Sequence, residues 1–269
     1  MKDLIIGCIV NYNIDKIKYW VNSINKSGFT GDKILISFGI DIETEKFIIK
    51  NGFSLYKYEK THRHIVIDRF IAMWNLLNIS NEKYRYVIST DVKDVIFQYN
   101  PSEWLKKNIG TKKILVSSEC LKYKDEDWGN SNLYLSYPHL YENNYDNIIY
   151  NAGTIAGEHE YIKDFFLHIF NLSLSGTDPQ PDQAAMNILI HTQPFIDCVY
   201  KANQEDGWCC QLGTTLDPKI KDRYAPFLLE PIPNFINGVF VNSKGIPYCL
   251  AHQYDRIPDI KEIIENKYK

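Results

Sequence analysis

Strand-like and helix-like patterns alternate along the first sixty residues. Residues 4–10, 33–38 and 53–58 are short segments rich in β-branched and aromatic side chains, while residues 15–26 and 42–50 carry apolar positions at helical spacing. Alternation of this kind with short connections is typical of βαβ units, whose right-handed crossovers make a sheet largely parallel. The pattern therefore predicts an α/β, Rossmann-like fold in which helices flank a mostly parallel central sheet.

The alternation continues with a predicted helix over 65–77 and predicted strands over 86–89, 113–117 and 148–157. Residues 119–147 interrupt it, because they are polar and aromatic without periodicity. A stretch of that length inside a compact domain is usually a functional loop or an ordered insert. We assign it to acceptor recognition, with a purely structural excursion as the alternative.

Composition narrows the class of protein. The 269 residues are 45% hydrophobic and carry a formal charge of −3, so no basic surface for nucleic acid or acidic membrane is expected. The apolar run near the N-terminus is too short for a secretion signal or a transmembrane segment, which predicts a cytoplasmic location. The chain has neither a G-x-G-x-x-G after its first strand nor a P-loop.

Two carboxylates, Asp91 and Asp94, directly follow the predicted strand over 86–89. Carboxylates at the carboxyl end of a central strand face the ligand crevice of an open α/β sheet, where a divalent cation and phosphates can share their oxygens. An acidic turn is also common without a metal. On an extended strand the two side chains would point to opposite faces, so a turn must bring them together, or Ser89 and Asp91 form the pair instead.

Other candidate site residues lie at predicted strand ends and helix surfaces. Val10, Asn11 and Tyr12 follow the first strand and could contact a base or ribose. Arg69 is either a structural arginine or a clamp for a diphosphate. His252 ends a late apolar segment, and its imidazole suits a transition divalent such as manganese.

Asn151, Asp182 and Gln183 are candidates for contacts with a sugar. Asn151 follows an apolar strand, where its amide could bond sugar hydroxyls, and small residues surround it. Asp182 and Gln183 fall in the first turn of a predicted helix after two prolines. Helix capping would explain the aspartate but would not require the glutamine.

The order of these motifs resembles the glycogenin and bacterial lipopolysaccharide galactosyltransferase-like group of GT-A fold glycosyltransferases. The matching features are Asp91-Val92-Lys93-Asp94, Asn151-Ala152-Gly153, Asp182-Gln183 with Asn187, and His252. The resemblance covers nearly the whole chain, although the acidic pair is spaced D-x-x-D rather than D-x-D. It implies a single GT-A-like domain over 1–269, with a nucleotide-binding half at 1–118 and an acceptor-side half at 119–269.

The resemblance also implies the chemistry. A nucleoside diphosphate sugar, with UDP as the expected nucleotide, would donate its sugar to a glycan, a protein or a small molecule. Mn²⁺ or Mg²⁺ would be held by Asp91, Asp94 and His252, and the anomeric configuration would be retained. Gln183 would lie near the anomeric carbon, while Asp182 and Asn151 would orient sugar hydroxyls.

The sequence leaves two alternatives open and disfavours a third. An inverting enzyme would use Asp178 or Asp182 as general base. A catalytically inactive sugar-nucleotide-binding or scaffold protein would have the same fold and many of the same residues. A haloacid-type phosphatase is disfavoured, because it needs an acid two positions after Asp91, where this chain has Lys93.

Overall fold

The computed structural model describes residues 1–59 and 64–269, which form twelve strands and eleven α-helices. The strands are β1 Leu4–Ile9, β2 Asp32–Ser37, β3 Ser54–Lys57, β4 Tyr86–Thr90, β5 Val95–Phe97, β6 Ile114–Lys122, β7 Ile148–Glu158, β8 Val199–Ala202, β9 Cys209–Gln211, β10 Asn234–Ile236, β11 Val239–Val241 and β12 Leu250–His252. The helices are α1 Ile14–Lys26, α2 Ile42–Lys50, α3 Ile65–Ile79, α4 Pro101–Asn108, α5 Asp127–Ser136, α6 Tyr141–Asn144, α7 His159–Ser173, α8 Asp182–Leu189, α9 Leu212–Thr215, α10 Lys221–Tyr224 and α11 Pro258–Lys267.

A seven-stranded sheet in the order β3-β2-β1-β4-β7-β6-β8 forms the centre of the fold. Strands β1 to β4 are mutually parallel, and β6 is parallel to β8. Only β7 runs against both of its neighbours in this sheet. The predicted mostly parallel central sheet is therefore confirmed, and the exception is the strand that carries Asn151.

Both faces of the central sheet are covered by helices. In β1, Leu4 and Ile6 pack with one hydrophobic cluster, which includes side chains of α3 and α7, while Ile5 and Ile9 pack with another, which includes side chains of α1, α2 and α4. Alternate residues of a strand point to opposite faces, so a strand covered on both sides needs apolar residues at every position. This double burial explains the unbroken apolar run at 4–9.

A second, three-stranded sheet joins distant parts of the chain. Its central strand β12 is antiparallel to β5 and parallel to β9, so that His252 lies between Val95 and Gln211. Strand β5 follows Asp94 directly. The small sheet therefore brings His252 close to the turn that carries Asp91 and Asp94. The order of these residues along the chain does not by itself require this proximity.

The interruption at 119–147 is an ordered insert, one of the two outcomes predicted for it. Strand β6 extends through its first residues, and α5 and α6 follow. Tyr123, Leu133 and Tyr137 pack in one cluster with residues of α8. The insert is thus fixed against the helix that begins with Asp182. Among the described helices, none is long and apolar enough to cross a membrane.

Candidate active site

The connection between β4 and β5 brings Asp91 and Asp94 to the same place. His252 Nε2 lies 3.7 Å from Asp91 Oδ2 and 3.7 Å from Asp94 Oδ2. One possible ligand atom of each residue lies within 4.8 Å of those of the other two. The turn thus solves the problem that the D-x-x-D spacing poses on an extended strand. The Ser89 hydroxyl contacts Met73 Sδ at 3.1 Å in the core instead.

The acidic turn is anchored by packing and by hydrogen bonds to neighbouring strands and helix α1. Val92, between the two aspartates, is buried against Gly7, where a Cβ atom would come within 2.5 Å of the valine side chain. Trp20 Nε1–H donates a hydrogen bond of 2.8 Å to Thr90 Oγ1. Asp91 N–H donates to the carbonyl oxygen of Gly153 at 2.8 Å. The backbone that carries the carboxylates is therefore held by packing and by hydrogen bonds.

Gln211 sets the orientation of His252. The carboxamide oxygen of Gln211 lies 2.7 Å from His252 Nδ1, and an amide oxygen can only accept, so Nδ1 carries a hydrogen. Nε2 then faces the two carboxylates. A histidine whose other ring nitrogen is bonded in this way is the usual arrangement at metal sites.

Electrostatics at the cluster favour a cation. Burial lowers the pKa of His252, but Asp94 and Asp91 outweigh it and raise the pKa above its ordinary value. Burial also raises the pKa of Asp94, with repulsion from Asp91 adding to the rise and His252 partly offsetting it. Two ionised carboxylates this close repel each other, and a cation beside them relieves that repulsion.

Gly153 leaves room beside two of the three candidate ligands, Asp91 and His252. A Cβ atom at this position would lie 2.6 Å from Asp91 Oδ2, 2.8 Å from Asn151 Oδ1 and 2.9 Å from His252 Cε1. A side chain at position 153 would crowd Asp91 and His252. Two carboxylates and one imidazole with ligand atoms within 4.8 Å of one another fit a divalent cation such as Mn²⁺, which accepts both oxygen and nitrogen ligands.

Arg69 connects the acidic turn to the start of α8. Its Nη1 lies 2.5 Å from Asp91 Oδ1 and its Nη2 lies 2.8 Å from Asp182 Oδ2. Burial opposes ionisation of Asp91, yet the charges of Arg69 and His252 prevail and hold the pKa of Asp91 below its ordinary value. For Asp182 burial prevails over Arg69 and raises the pKa. The guanidinium therefore keeps Asp91 available as an anionic ligand.

The polar side chains of β7 and α8 are bonded to each other. Asn151 Nδ2–H donates to Glu119 Oε1 at 2.6 Å, and Asn151 Oδ1 accepts from Gly153 N–H at 2.6 Å. Gln183 Oε1 accepts from Ala152 N–H at 3.3 Å. Burial raises the pKa of Glu119, which the bond from Asn151 only partly offsets. The side chains of Asn151 and Gln183 thus hold the backbone around Gly153 in place.

Most of the predicted site residues share one cleft of about 760 Å³. Of the residues predicted to contact nucleotide, sugar or metal, those lining it are Val10, Tyr12, Arg69, Asp91, Asp94, Asn151, Asp182, Gln183 and His252. Asn11 is not among them. Its side chain is exposed, its φ of 49° lies in the left-handed region, and its backbone N–H donates to Gly39 O at 2.9 Å.

Comparison with known proteins adds the fold family. No protein-family profile and no curated protein sequence matches the chain. Among solved structures, the galactosyltransferase LgtC, determined in complex with donor and acceptor sugar analogs, superposes with a TM-score of 0.58 at 12% identity, covering 98% of this chain and 95% of that one. The chain has the GT-A fold.

Two further structures agree with this fold. Mouse xyloside xylosyltransferase 1 superposes with a TM-score of 0.53 at 11% identity over 93% of this chain and 97% of that one. The glycosyltransferase GlyE from Streptococcus pneumoniae TIGR4 gives a TM-score of 0.55 at 12% identity over 100% of this chain, which spans 63% of GlyE. The fold predicted from the motif order is therefore confirmed.

The GT-A cleft also contains residues that the sequence did not single out. The lining includes Glu119, Trp128, Tyr224 and Arg256. Gln211 forms the hydrogen bond to His252 Nδ1 that orients the imidazole. Arg256 is exposed and forms no ion pair with any residue in the described ranges, whereas the nearby Lys93 pairs with Asp255 at 3.0 Å. These residues come from the insert, from α10 and from the connections around β9 and β12, where no sequence periodicity indicates a partner.

Proposed function

We propose that this protein is a divalent-metal-dependent glycosyltransferase that uses a nucleoside diphosphate sugar, with UDP as the expected nucleotide. The observation that carries the proposal is the convergence of Asp91, Asp94 and His252, with Gly153 leaving room beside Asp91 and His252. This cluster lies at the carboxyl end of β4, where open α/β sheets bind ligands, and it opens into a large cleft. The GT-A fold supports the same function.

The three donor residues would hold Mn²⁺ or Mg²⁺. When bound, the cation supplies Lewis-acid stabilisation to the diphosphate that leaves as the glycosidic bond of the donor breaks. Arg69 keeps Asp91 ionised for this role, and its own predicted contact with the diphosphate remains a proposal. We assign Arg256 as a second cationic partner for the phosphates, because it lines the cleft without an ion pair among the described residues.

The remaining polar residues would position the donor sugar. Val10 and Tyr12 line the cleft beside the acidic turn and are assigned to the nucleoside. Gln183 is assigned to the region of the anomeric carbon, and Asp182 to the sugar hydroxyls. Asn151 is assigned to the sugar hydroxyls together with Glu119, to which it is bonded.

We further propose that the anomeric configuration is retained, with glycans, proteins and small molecules all open as acceptors. Both candidates for the general base of an inverting reaction are engaged by other groups. Asp182 pairs with Arg69, and Asp178 accepts hydrogen bonds from Asn132 Nδ2 at 3.3 Å and from Gln180 N–H at 2.8 Å. Retention needs no such base, since the departing phosphate can take the proton of the acceptor.

Calorimetric titration of UDP and of GDP, with and without Mn²⁺, tests the proposal. We expect nucleotide binding that depends on the metal. In Asp91→Ala and in His252→Ala the nucleotide affinity with Mn²⁺ should fall by more than the roughly 10–100-fold loss that is typical when a residue supporting a metal ligand is changed. Asp146→Asn is the matched control, because this carboxylate pairs with Lys122 and Lys124 on the surface. Its binding should equal that of the wild type.

Turnover separates an enzyme from an inactive binding protein of the same fold. We expect slow, metal-dependent hydrolysis of at least one nucleoside diphosphate sugar in the absence of an acceptor. Nucleotide binding without hydrolysis of any donor would instead indicate the binding protein. Absence of binding to both nucleotides with and without metal would overturn the transferase proposal.

A further inference from the structure

Trp128 is the solvent-exposed tryptophan of the cleft. Trp128 is 50% exposed, whereas Trp20, Trp104 and Trp208 are 1%, 5% and 0% exposed and belong to the core, and Trp74 packs partly buried against it. Tryptophan is highly buried on average, so a half-exposed indole that lines a concave site offers a large unoccupied apolar face. The core accounts for the other four indoles and leaves that of Trp128 without a packing role of the same kind.

The segment that carries Trp128 is held firmly. The Glu126 carboxylate caps α5 by accepting hydrogen bonds from Trp128 N–H at 3.2 Å and from Gly129 N–H at 2.5 Å, and Tyr224 Oη–H donates to the same carboxylate at 3.0 Å. A Cβ atom at Gly129 would lie 2.8 Å from both Glu126 Oε2 and Ile149 Cδ1. The backbone that carries the exposed indole is therefore held by the helix cap and by the close packing at Gly129.

Polar groups that suit hydroxyls line the same cleft as the indole. Asp127, the neighbour of Trp128, pairs with Arg223, and both line the cleft beside Tyr224. The ion pair offers hydrogen-bond donors and acceptors without a net charge. An aromatic face with a few convergent polar groups is typical of a site for a small polar ligand with one apolar face. A neutral pyranose has this character, since one ring face carries C–H groups and the edge carries hydroxyls.

We propose that Trp128 is the stacking platform for the acceptor, and that the acceptor is a saccharide whose terminal pyranose lies on the indole. The inference rests on the proposed transferase function and narrows its acceptor class. The platform belongs to the insert 119–147 and lines the same cleft as Tyr12 and Arg69. Asp127, Arg223 and Tyr224 also line this cleft and are assigned to the hydroxyls of the pyranose.

The test uses the full-length protein with the donor that it hydrolyses and a panel of methyl α- and β-pyranosides of glucose, galactose, mannose and xylose. Trp128→Ala is expected to raise the acceptor KM about tenfold and to lower the ratio of transfer to donor hydrolysis by a similar factor. Trp128→Phe keeps an aromatic face and should recover most of the loss. Tyr134→Ala is the matched control, because Tyr134 lies on the same helix, is 55% exposed and does not line the cleft.

The outcomes distinguish failure of this inference from failure of the proposed function. Absence of donor binding and hydrolysis in the wild type would remove both. Donor hydrolysis without binding or glycosylation of any pyranoside would overturn the acceptor assignment alone. An unchanged acceptor KM in Trp128→Ala, or transfer to a serine-containing peptide in preference to every pyranoside, would overturn it as well.

Discussion

Residues 1–118 and residues 119–269 build one cleft in two different ways. In the first region, strands β1, β2 and β3 pair with their neighbours along the chain, and β4 joins β1 in the same direction. In the second region, β12 pairs with β5 and β9, and β7 lies antiparallel between β4 and β6. The first region supplies the acidic turn, and the second supplies the histidine, Gln211 and the insert.

The site depends on pairing between strands that are distant along the chain. Asp91 and Asp94 are placed by the chain itself, because they follow a parallel strand whose carboxyl end faces the crevice. His252 is placed only when β12 inserts between β5 and β9. Changes that act between the regions should therefore cost more than changes within either one.

The largest effect is expected at the ion-pair bridge between the regions. Arg69→Met leaves the buried Asp182 without its partner, which should lower the free energy of unfolding by about 3–5 kcal/mol. Urea denaturation in the presence of a chelator measures the change. Lys46→Met, at an exposed pair with Glu43, should cost no more than about 0.5 kcal/mol.

Combining the changes sharpens this prediction. Asp182→Asn removes the charge that Arg69→Met leaves unpaired, so the double variant should recover part of the stability lost in Arg69→Met alone. A loss in Arg69→Met as small as that in Lys46→Met would contradict the bridge between the two regions.

An intermediate effect is expected within the second region, at Gln211. Gln211→Leu removes the acceptor for His252 Nδ1–H and frees the ring to turn away from the carboxylates, so Mn²⁺ affinity should fall about 10–100-fold. Calorimetric titration of Mn²⁺ measures it. Gln211→Glu keeps an acceptor oxygen and should retain more of the affinity than Gln211→Leu. Equal affinity in wild type and Gln211→Leu would show that Gln211 does not position the histidine.

The smallest effect is expected within the first region, at the bond between Trp20 and Thr90. Thr90→Val removes the acceptor for the buried Trp20 Nε1–H and should lower the free energy of unfolding by about 1 kcal/mol. Thr90→Ser keeps the hydroxyl as its control. Thermal denaturation checks the order of the variants, and a larger loss in Thr90→Val than in Arg69→Met would reverse the comparison.

Local pattern predicted the regular part of the fold and much of the site. Strand β1 lies within the predicted run at 4–10, and helix α2 lies at the predicted 42–50. A strand buried on both faces is apolar throughout and a helix buried on one face has apolar residues at helical spacing, so both can be recognised from residue type. The order of the motifs led to the GT-A fold, which the solved structures confirm. The roles of the site residues stay predictions until the metal and donor experiments are done.

Tertiary structure decided what the pattern left open. The sequence determined that two carboxylates follow a buried strand and that a histidine ends a late apolar segment, since these are properties of neighbouring residues. Only the fold determined that His252 lies beside Asp91 and Asp94, that Gln211 orients His252 and that Arg69 reaches both Asp91 and Asp182. Those contacts join residues far apart along the chain. Local periodicity and spacing do not indicate which distant side chain will complete a hydrogen bond or neutralise a buried charge.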